Sequence, residues 1–335
     1  MKCVIFGYGY MGRIRYDALR RRSDIREIVV VDPQVIASEV ACTLLRNVGE
    51  VEWDSVDAAF VCTPNDVTAD LCIESLNRCG RVFCEKPPGR NWADFRRIEE
   101  AAGHAAGHIL SFGFNHRLHP CVQSAKALIG SGQLGNILTV KGTYGKSGGV
   151  RYRENWRNDR TRSGGGILLD QGIHMLDIFQ FLVGPLAVVD AVLTDSFWSC
   201  GVEDNAFVLM KTDSGIPAFL HSSATLWKHT FRLEIGCSEG YLVASGLLSR
   251  TGSYGREQLV IGKRQFEDEA LALGNPREEI IHFDRDESWD KEIHEFISAI
   301  QESRPCTHGT LAEARSVMQI IRDAYVKIGT FDVVI

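Results

Sequence analysis

Three short stretches of this chain bring together residue types that could do chemistry. The first is Gly7-Tyr8-Gly9-Tyr10-Met11-Gly12, which follows the apolar run Lys2–Phe6 and precedes a helical pattern. In a G-x-G-x-x-G turn the first glycine allows the tight bend. The second lets the backbone approach a pyrophosphate, and the third permits close helix–strand packing. The helix N-terminus then offers unpaired N–H groups and a partial positive charge to the anion. Ile28-Val29-Val30-Val31 ends at Asp32, 20 residues after Gly12, where an acidic side chain accepts hydrogen bonds from ribose hydroxyls. A 2′-phosphate would meet a like charge there, so NAD is expected rather than NADP. The second stretch comprises two strand ends, Thr63-Pro64-Asn65 and Glu85-Lys86-Pro87, which point to the mouth of the same crevice. The third is a helical pattern carrying Asp170, His174 and Asp177 at i, i+4 and i+7, a spacing that places them on one helix face. Oxidation of a secondary alcohol needs a base for the hydroxyl proton as the hydride departs, and histidine is the usual choice.

The elements that position these groups follow from the hydrophobic pattern. Near-continuous apolar runs at Lys2–Phe6, Glu27–Val31, Ala58–Cys62, Arg81–Cys84 and His108–Phe114 read as strands buried on both faces. Helical patterns at Met11–Arg21, Val67–Asn77 and Trp92–Ala102 separate them, the alternation of a doubly wound parallel sheet. After a helix at Pro120–Ser131, a strand at Asn136–Tyr144 and a helix at Leu168–Val183, strands succeed one another: Leu186–Asp195, Asn205–Lys211, Ala218–Ala224, Phe231–Cys237 and Gly240–Ala244. The expected fold class is α/β: an N-terminal Rossmann domain over residues 1–115, then an α+β domain over 116–335 with a large, mostly antiparallel sheet. Two late helices, Trp289–Glu302 and Leu311–Ile328, close the chain.

Four elements in this order resemble the glucose–fructose oxidoreductase / inositol dehydrogenase (Gfo/Idh/MocA) family: Gly7–Gly12, Thr63-Pro64-Asn65, Glu85-Lys86-Pro87, and the run from Gly164-Gly165-Gly166 through Asp170, Gly172 and His174 to Asp177. The resemblance covers essentially the whole chain and implies oxidation of a ring hydroxyl of a sugar or cyclitol with a nicotinamide cofactor. It implies His174 as general base, Lys86 as the donor that stabilises charge on the reacting oxygen, and Asp170 as a group that orients His174 or binds a neighbouring hydroxyl. It also adds Asn115 to the cofactor site and Arg117 to the substrate site, from Asn115-His116-Arg117. The chain has Thr68 where the family commonly has a histidine.

Between Arg151 and Arg162 stand five arginines and two acids, a local net of 5 − 2 = +3, just before the helix of Asp170 and His174. Arginine forks suit phosphate oxygens, and Tyr152 or Trp156 can stack on a sugar or base. Arg157, Trp156 and Tyr152 are therefore candidate substrate contacts, and a phosphorylated or nucleotide-linked sugar is favoured, such as a UDP-N-acetylhexosamine oxidised at C3. The competing readings are a free-polyol or inositol dehydrogenase and a non-catalytic NAD-binding regulator.

Composition limits the rest. Lys+Arg 37 against Asp+Glu 43 gives 37 − 43 = −6, which argues against nucleic-acid binding. No apolar run is long enough to span a membrane, and glycine comes too early for a secretory signal. Ten cysteines lack Cys-x-x-Cys or zinc-ligand spacing, so no metal site and reduced thiols in a cytoplasmic protein are expected. An open sheet face would seek burial against another copy, giving a homodimer or homotetramer.

Overall fold

The computed structural model describes residues 1–36, 41–104, 107–269, 274 and 276–329. The chain builds β1 (Lys2–Phe6), α1 (Tyr10–Arg20), β2 (Glu27–Val31), β3 (Thr43–Leu45), β4 (Ala58–Val61), α2 (Asn65–Cys79), β5 (Arg81–Cys84), α3 (Trp92–Gly103) and β6 (Ile109–Phe112). These six strands form one sheet in the order β3-β2-β1-β4-β5-β6, every pair parallel. The order reverses between β1 and β4, and that reversal opens a crevice beyond their carboxyl ends. β3 lies at the sheet edge and is partly exposed, so it carries no apolar run for the sequence to reveal.

Residues of β1 alternate between two buried layers, which is why the whole strand is apolar. Val4 and Phe6 belong to the core under α2 and α3, whereas Cys3 and Ile5 face the core containing Tyr16 and Leu19 of α1. The second layer is completed from far along the chain. Ile293, Phe296 and Ile297 of α7 (Ser288–Gln301) pack there against Phe60 and Phe83. The core of the first sheet therefore draws on residues well beyond position 115.

The remaining elements are α4 (Pro120–Gly130), β7 (Ile137–Gly145), the short α5 (Arg160–Ser163), α6 (Ile173–Val183), β8 (Ala187–Thr194), β9 (Asn205–Lys211), β10 (Pro217–Ser223), β11 (Thr230–Cys237), β12 (Gly240–Ser245), β13 (Glu257–Lys263), β14 (Glu278–Phe283) and α8 (Leu311–Ile328). The second sheet has eight strands in the order β14-β13-β12-β11-β7-β10-β9-β8. All its pairs are antiparallel except β7 with β10. Strands β13 and β14 were not foreseen from the sequence. One face of this sheet is buried under α4, α6 and α8. The other leaves Val192, Leu209 and Ile280 exposed.

The expected helix at Leu168–Val183 is two pieces, a π-helical turn at Leu168–Gly172 followed by α6. The stretch Arg160–Val183 is long and apolar enough to cross a membrane, but 78% of its apolar window is buried inside the protein. It is a core element. All ten cysteines are unpaired.

Candidate active site

The glycine turn leaves β1 along a path that side chains would block. Gly7 has φ +85°, and a Cβ there would lie 2.7 Å from the Cys62 carbonyl oxygen. A Cβ on Gly12 would lie 2.0 Å from the Gly7 carbonyl oxygen, so α1 packs back on the turn only without one. Gly9 differs, since a Cβ there would meet nothing within 4 Å. Its bare side faces a cavity of about 820 Å³ lined by Gly7, Gly9, Tyr10, Met11, Asp32, Thr63, Pro64, Asn65, Glu85 and Lys86. No side chain caps α1 at Gly9, which leaves its first N–H groups for a ligand anion. Asp32 is held at the end of β2 by backbone donors: Tyr8 N–H at 2.7 Å on one oxygen, Gln34 and Val35 N–H at 2.8 and 3.1 Å on the other. An open glycine, an uncapped helix start and a fixed carboxylate at the next strand end fit the pyrophosphate and ribose of NAD. Tyr8 is not on the wall; its ring packs edge-on against Tyr16.

At the end of β5, Glu85 and Lys86 serve opposite sides. Glu85 accepts from Arg15 Nε at 2.7 Å, and Arg15 Nη2 donates to Glu292 of α7 at 2.6 Å. The Arg15 guanidinium, fully buried, lies 4.3 Å from the Phe83 ring centre. This network anchors the strand end. Lys86 projects from it across the crevice, donating through Nζ to the Asp170 carbonyl oxygen at 2.6 Å and lying 3.5 Å from Asp170 Oδ1. Burial pushes the Lys86 pKa down, helped by Arg157 and Lys146 and opposed by Asp170.

Asp170 sits in the π-helical turn, ringed by cations. It pairs with Lys146, accepts from Arg157 Nε at 3.3 Å, and faces Lys86. Burial alone would raise its pKa, but Lys146, Lys86 and Arg157 hold it well below the usual carboxylate range. His174 lies in the first turn of α6, with 4% of its surface accessible and Nδ1 buried without a partner among the described residues. Its ring stacks on His116 at 3.6 Å between centres. Burial, then His116 and Lys86, push its pKa well down against the pull of Asp170.

Only part of the one-face arrangement expected for Asp170, His174 and Asp177 forms: His174 and Asp177 both face the turn Asn115–Leu118, through His116 and Arg117. The π turn displaces Asp170 from α-helical register with α6. Asp170 faces the cavities, His174 packs behind it on His116, and Asp177 is turned to Arg117. Arg117 lines neither cavity: it is buried, with Nε donating to Asp177 at 2.9 Å and Nη1 paired with Glu313 of α8. Asn115 also lies off the cofactor cavity, donating through Nδ2 to Ser288 Oγ at 3.0 Å.

A second cavity of about 290 Å³ adjoins the first, with Arg157 and Asp170 on both walls. Its lining adds Lys146, Arg151, Tyr152, Asn155 and Asn158. The arginine-rich segment thus divides. Trp156, Arg157 and Arg162 face the larger cavity, the Arg157 guanidinium 4.5 Å from the Trp156 ring centre, while Arg151 and Tyr152 face the smaller. Burial pushes the Tyr152 hydroxyl pKa far up. Sequence reasoning missed Lys146 and His116. Lys146 stands just after β7, so its position beyond a strand end was the available signal; nothing local marks His116 as a stacking partner.

The chain matches two family models: the NAD-binding Rossmann fold of an oxidoreductase family over residues 1–114, and the GFO/IDH/MocA C-terminal domain over residues 122–243. It is 28% identical over 255 residues to inositol 2-dehydrogenase of Rhizobium meliloti (strain 1021), covering 72% of this chain and 74% of that protein. It is 28% identical over 200 residues to glucose-6-phosphate 3-dehydrogenase of Bacillus subtilis (strain 168), covering 57% of this chain and 56% of the relative. Among solved structures, a levoglucosan dehydrogenase in complex with NADH superposes with TM-score 0.82 at 20% identity, covering 98% of this chain and 97% of that one, a likeness of fold.

Proposed function

Because the chain belongs to the Gfo/Idh/MocA family of NAD-binding oxidoreductases, we propose that it is an NAD-dependent dehydrogenase for a secondary ring hydroxyl of an anionic sugar. The observation that carries this reading is the smaller cavity. Three cations, Lys146, Arg151 and Arg157, share its wall with one carboxylate, Asp170. Arginine forks and a lysine suit phosphate oxygens, and a volume of about 290 Å³ suits one sugar ring with a small substituent. A sugar phosphate is the best fit. A nucleotide-linked sugar, such as a UDP-N-acetylhexosamine oxidised at C3, is the larger member of the same class and would extend beyond the cavity. The similarity to a glucose-6-phosphate 3-dehydrogenase supports the same class.

In this reading His174 takes the hydroxyl proton as the carbinol carbon loses its hydride. Lys86 donates to the oxygen as negative charge develops there, and Asp170, kept ionised by its three cations, accepts from a neighbouring hydroxyl. Bound nicotinamide supplies the hydride acceptor. Gly9 and the start of α1 hold the pyrophosphate, and Asp32 holds the ribose diol. A second reading rests on exposure: Lys86 and Asp170 line the larger cavity, whereas His174 is on neither wall. In that version Lys86, its pKa lowered by burial, is the group that takes the proton.

Residues 1–115 would serve the dinucleotide, and 116–335 the sugar and self-association. The exposed Val192, Leu209 and Ile280 of the uncovered sheet face support a homodimer or homotetramer, which sedimentation equilibrium would test. Ten unpaired thiols suit a reducing, cytoplasmic setting. The deciding experiment follows reduced-nicotinamide absorbance across free sugars, cyclitols, sugar phosphates and nucleotide-sugars, with NAD and NADP in parallel. Turnover of a phosphorylated or nucleotide-linked sugar with NAD is expected. Turnover confined to free polyols would overturn the substrate class, and NAD binding without turnover of any member would favour a regulator.

A further inference from the structure

Two imidazoles lie face to face beside Lys86, and only one can receive a proton, because two stacked cations 3.6 Å apart in a dry site would repel strongly. Hydrogen bonds decide which. Asn115 uses its amide N–H on Ser288 Oγ at 3.0 Å and turns its carbonyl oxygen to His116 Nδ1 at 2.9 Å. Nδ1 of His116 therefore carries the proton. Its Nε2 lies 2.8 Å from the Tyr144 hydroxyl, which also hydrogen-bonds the Tyr254 hydroxyl. Both nitrogens of His116 are spent, and a second proton on that ring would have to displace the tyrosine. Among the described residues His174 makes no such bonds, and its Nδ1 is buried without a partner.

We propose that Asn115, His116 and Tyr144 form a tautomer lock that keeps His116 uncharged and dedicates proton acceptance to the His174 ring stacked upon it. His116 is then a positioning residue, acting through His174, and the proposal rests on the reading of His174 as the base. The groups facing the pair are Lys86 from the end of β5, Asp170 from the π turn, His119 at the start of α4 and Tyr144 from β7. Among them Asp170 alone favours a charged His174.

The test is nitrogen-detected NMR of the full-length protein with labelled histidine rings, with and without NADH, resonances being assigned by their loss in His116→Phe and His174→Gln. The expected spectrum shows His116 protonated on Nδ1 alone, and on acidification the His174 resonances move first. Tyr144→Phe frees Nε2 of His116, so the two rings should then titrate in one shared transition. In His116→Phe, which keeps a flat ring, the His174 midpoint should move upward. A His116 bearing its proton on Nε2, a His116 that titrates first, or an unchanged order in Tyr144→Phe would overturn the lock. If His174→Gln retained full turnover across the sugar panel, the base assignment would fall while the measured titration order stood, so the two failures are distinguishable.

Discussion

The glycine turn Gly7–Gly12 and the segment Arg151–Gly172 line the same crevice, but they are built from different materials. In the first, function lies in the backbone. Positive φ at Gly7, a 2.0 Å clash awaiting any Cβ on Gly12, and bare space at Gly9 leave room for a ligand that binds to N–H groups. In the second, function lies in side chains from several elements. Lys86, Lys146 and Arg157 converge on Asp170 from the end of β5, the end of β7 and a loop. The turn has no room for a side chain at Gly7 or Gly12, whereas the cluster around Asp170 is a set of side-chain charges supplied by separate elements.

That contrast can be broken or sharpened, beginning with the largest expected effect. Gly12→Val should weaken NADH binding by at least about 100-fold, roughly 3 kcal/mol, in a fluorescence titration; affinity within a few-fold of wild type would remove the steric account of the turn. His174→Gln and Lys86→Ala should each lower turnover by on the order of 100-fold or more while NADH affinity persists. If only Lys86→Ala is inactive, the lysine is the base. Arg157→Ala and Lys146→Ala should raise KM for an anionic sugar by about 10- to 100-fold, the worth of a charged hydrogen bond, with KM for NAD little changed. Equal small effects on both substrates would return the arginine-rich segment to a solvated loop. Asp32→Ser should erase most of the preference for NAD over NADP, by roughly tenfold, and unchanged affinities for both cofactors would reject its ribose role.

The smallest effect lies outside both regions. Glu295 of α7 takes a fork of hydrogen bonds from Arg304, Nη1 at 2.7 Å and Nη2 at 3.0 Å, and its pKa is lowered to about 2, chiefly by that partner. A depressed folded pKa contributes stability above the unfolded value that is lost as pH falls toward 2. The Tm advantage of wild type over Glu295→Gln, worth about 1 kcal/mol near neutrality, should therefore vanish at the acid end. A constant difference across that range would refute the linkage.

Much of the first sheet was legible because strands buried on both faces need unbroken apolar runs, and Lys2–Phe6, Glu27–Val31 and Arg81–Cys84 have them. β3 escaped because an edge strand of three half-exposed residues needs no such run. Asp32, Lys86 and Asp170 were legible as residues near glycines, strand ends and a motif. Arg117 was legible only as a motif position. Its motif position carries no information about Asp177 and Glu313, the carboxylates that bind it.

By itself the sequence determined the class of fold, the path of the glycine turn and the identity of the chemical groups, since these follow from periodicity and from sterics within a few residues. Only the tertiary structure decided how those groups are charged and paired. The inserted residue of a π turn, the stacking of His116 on His174 and the cations around Asp170 arise from elements distant in the chain. Desolvation and Coulomb energies depend on distance in space, and spacing along the chain does not encode it.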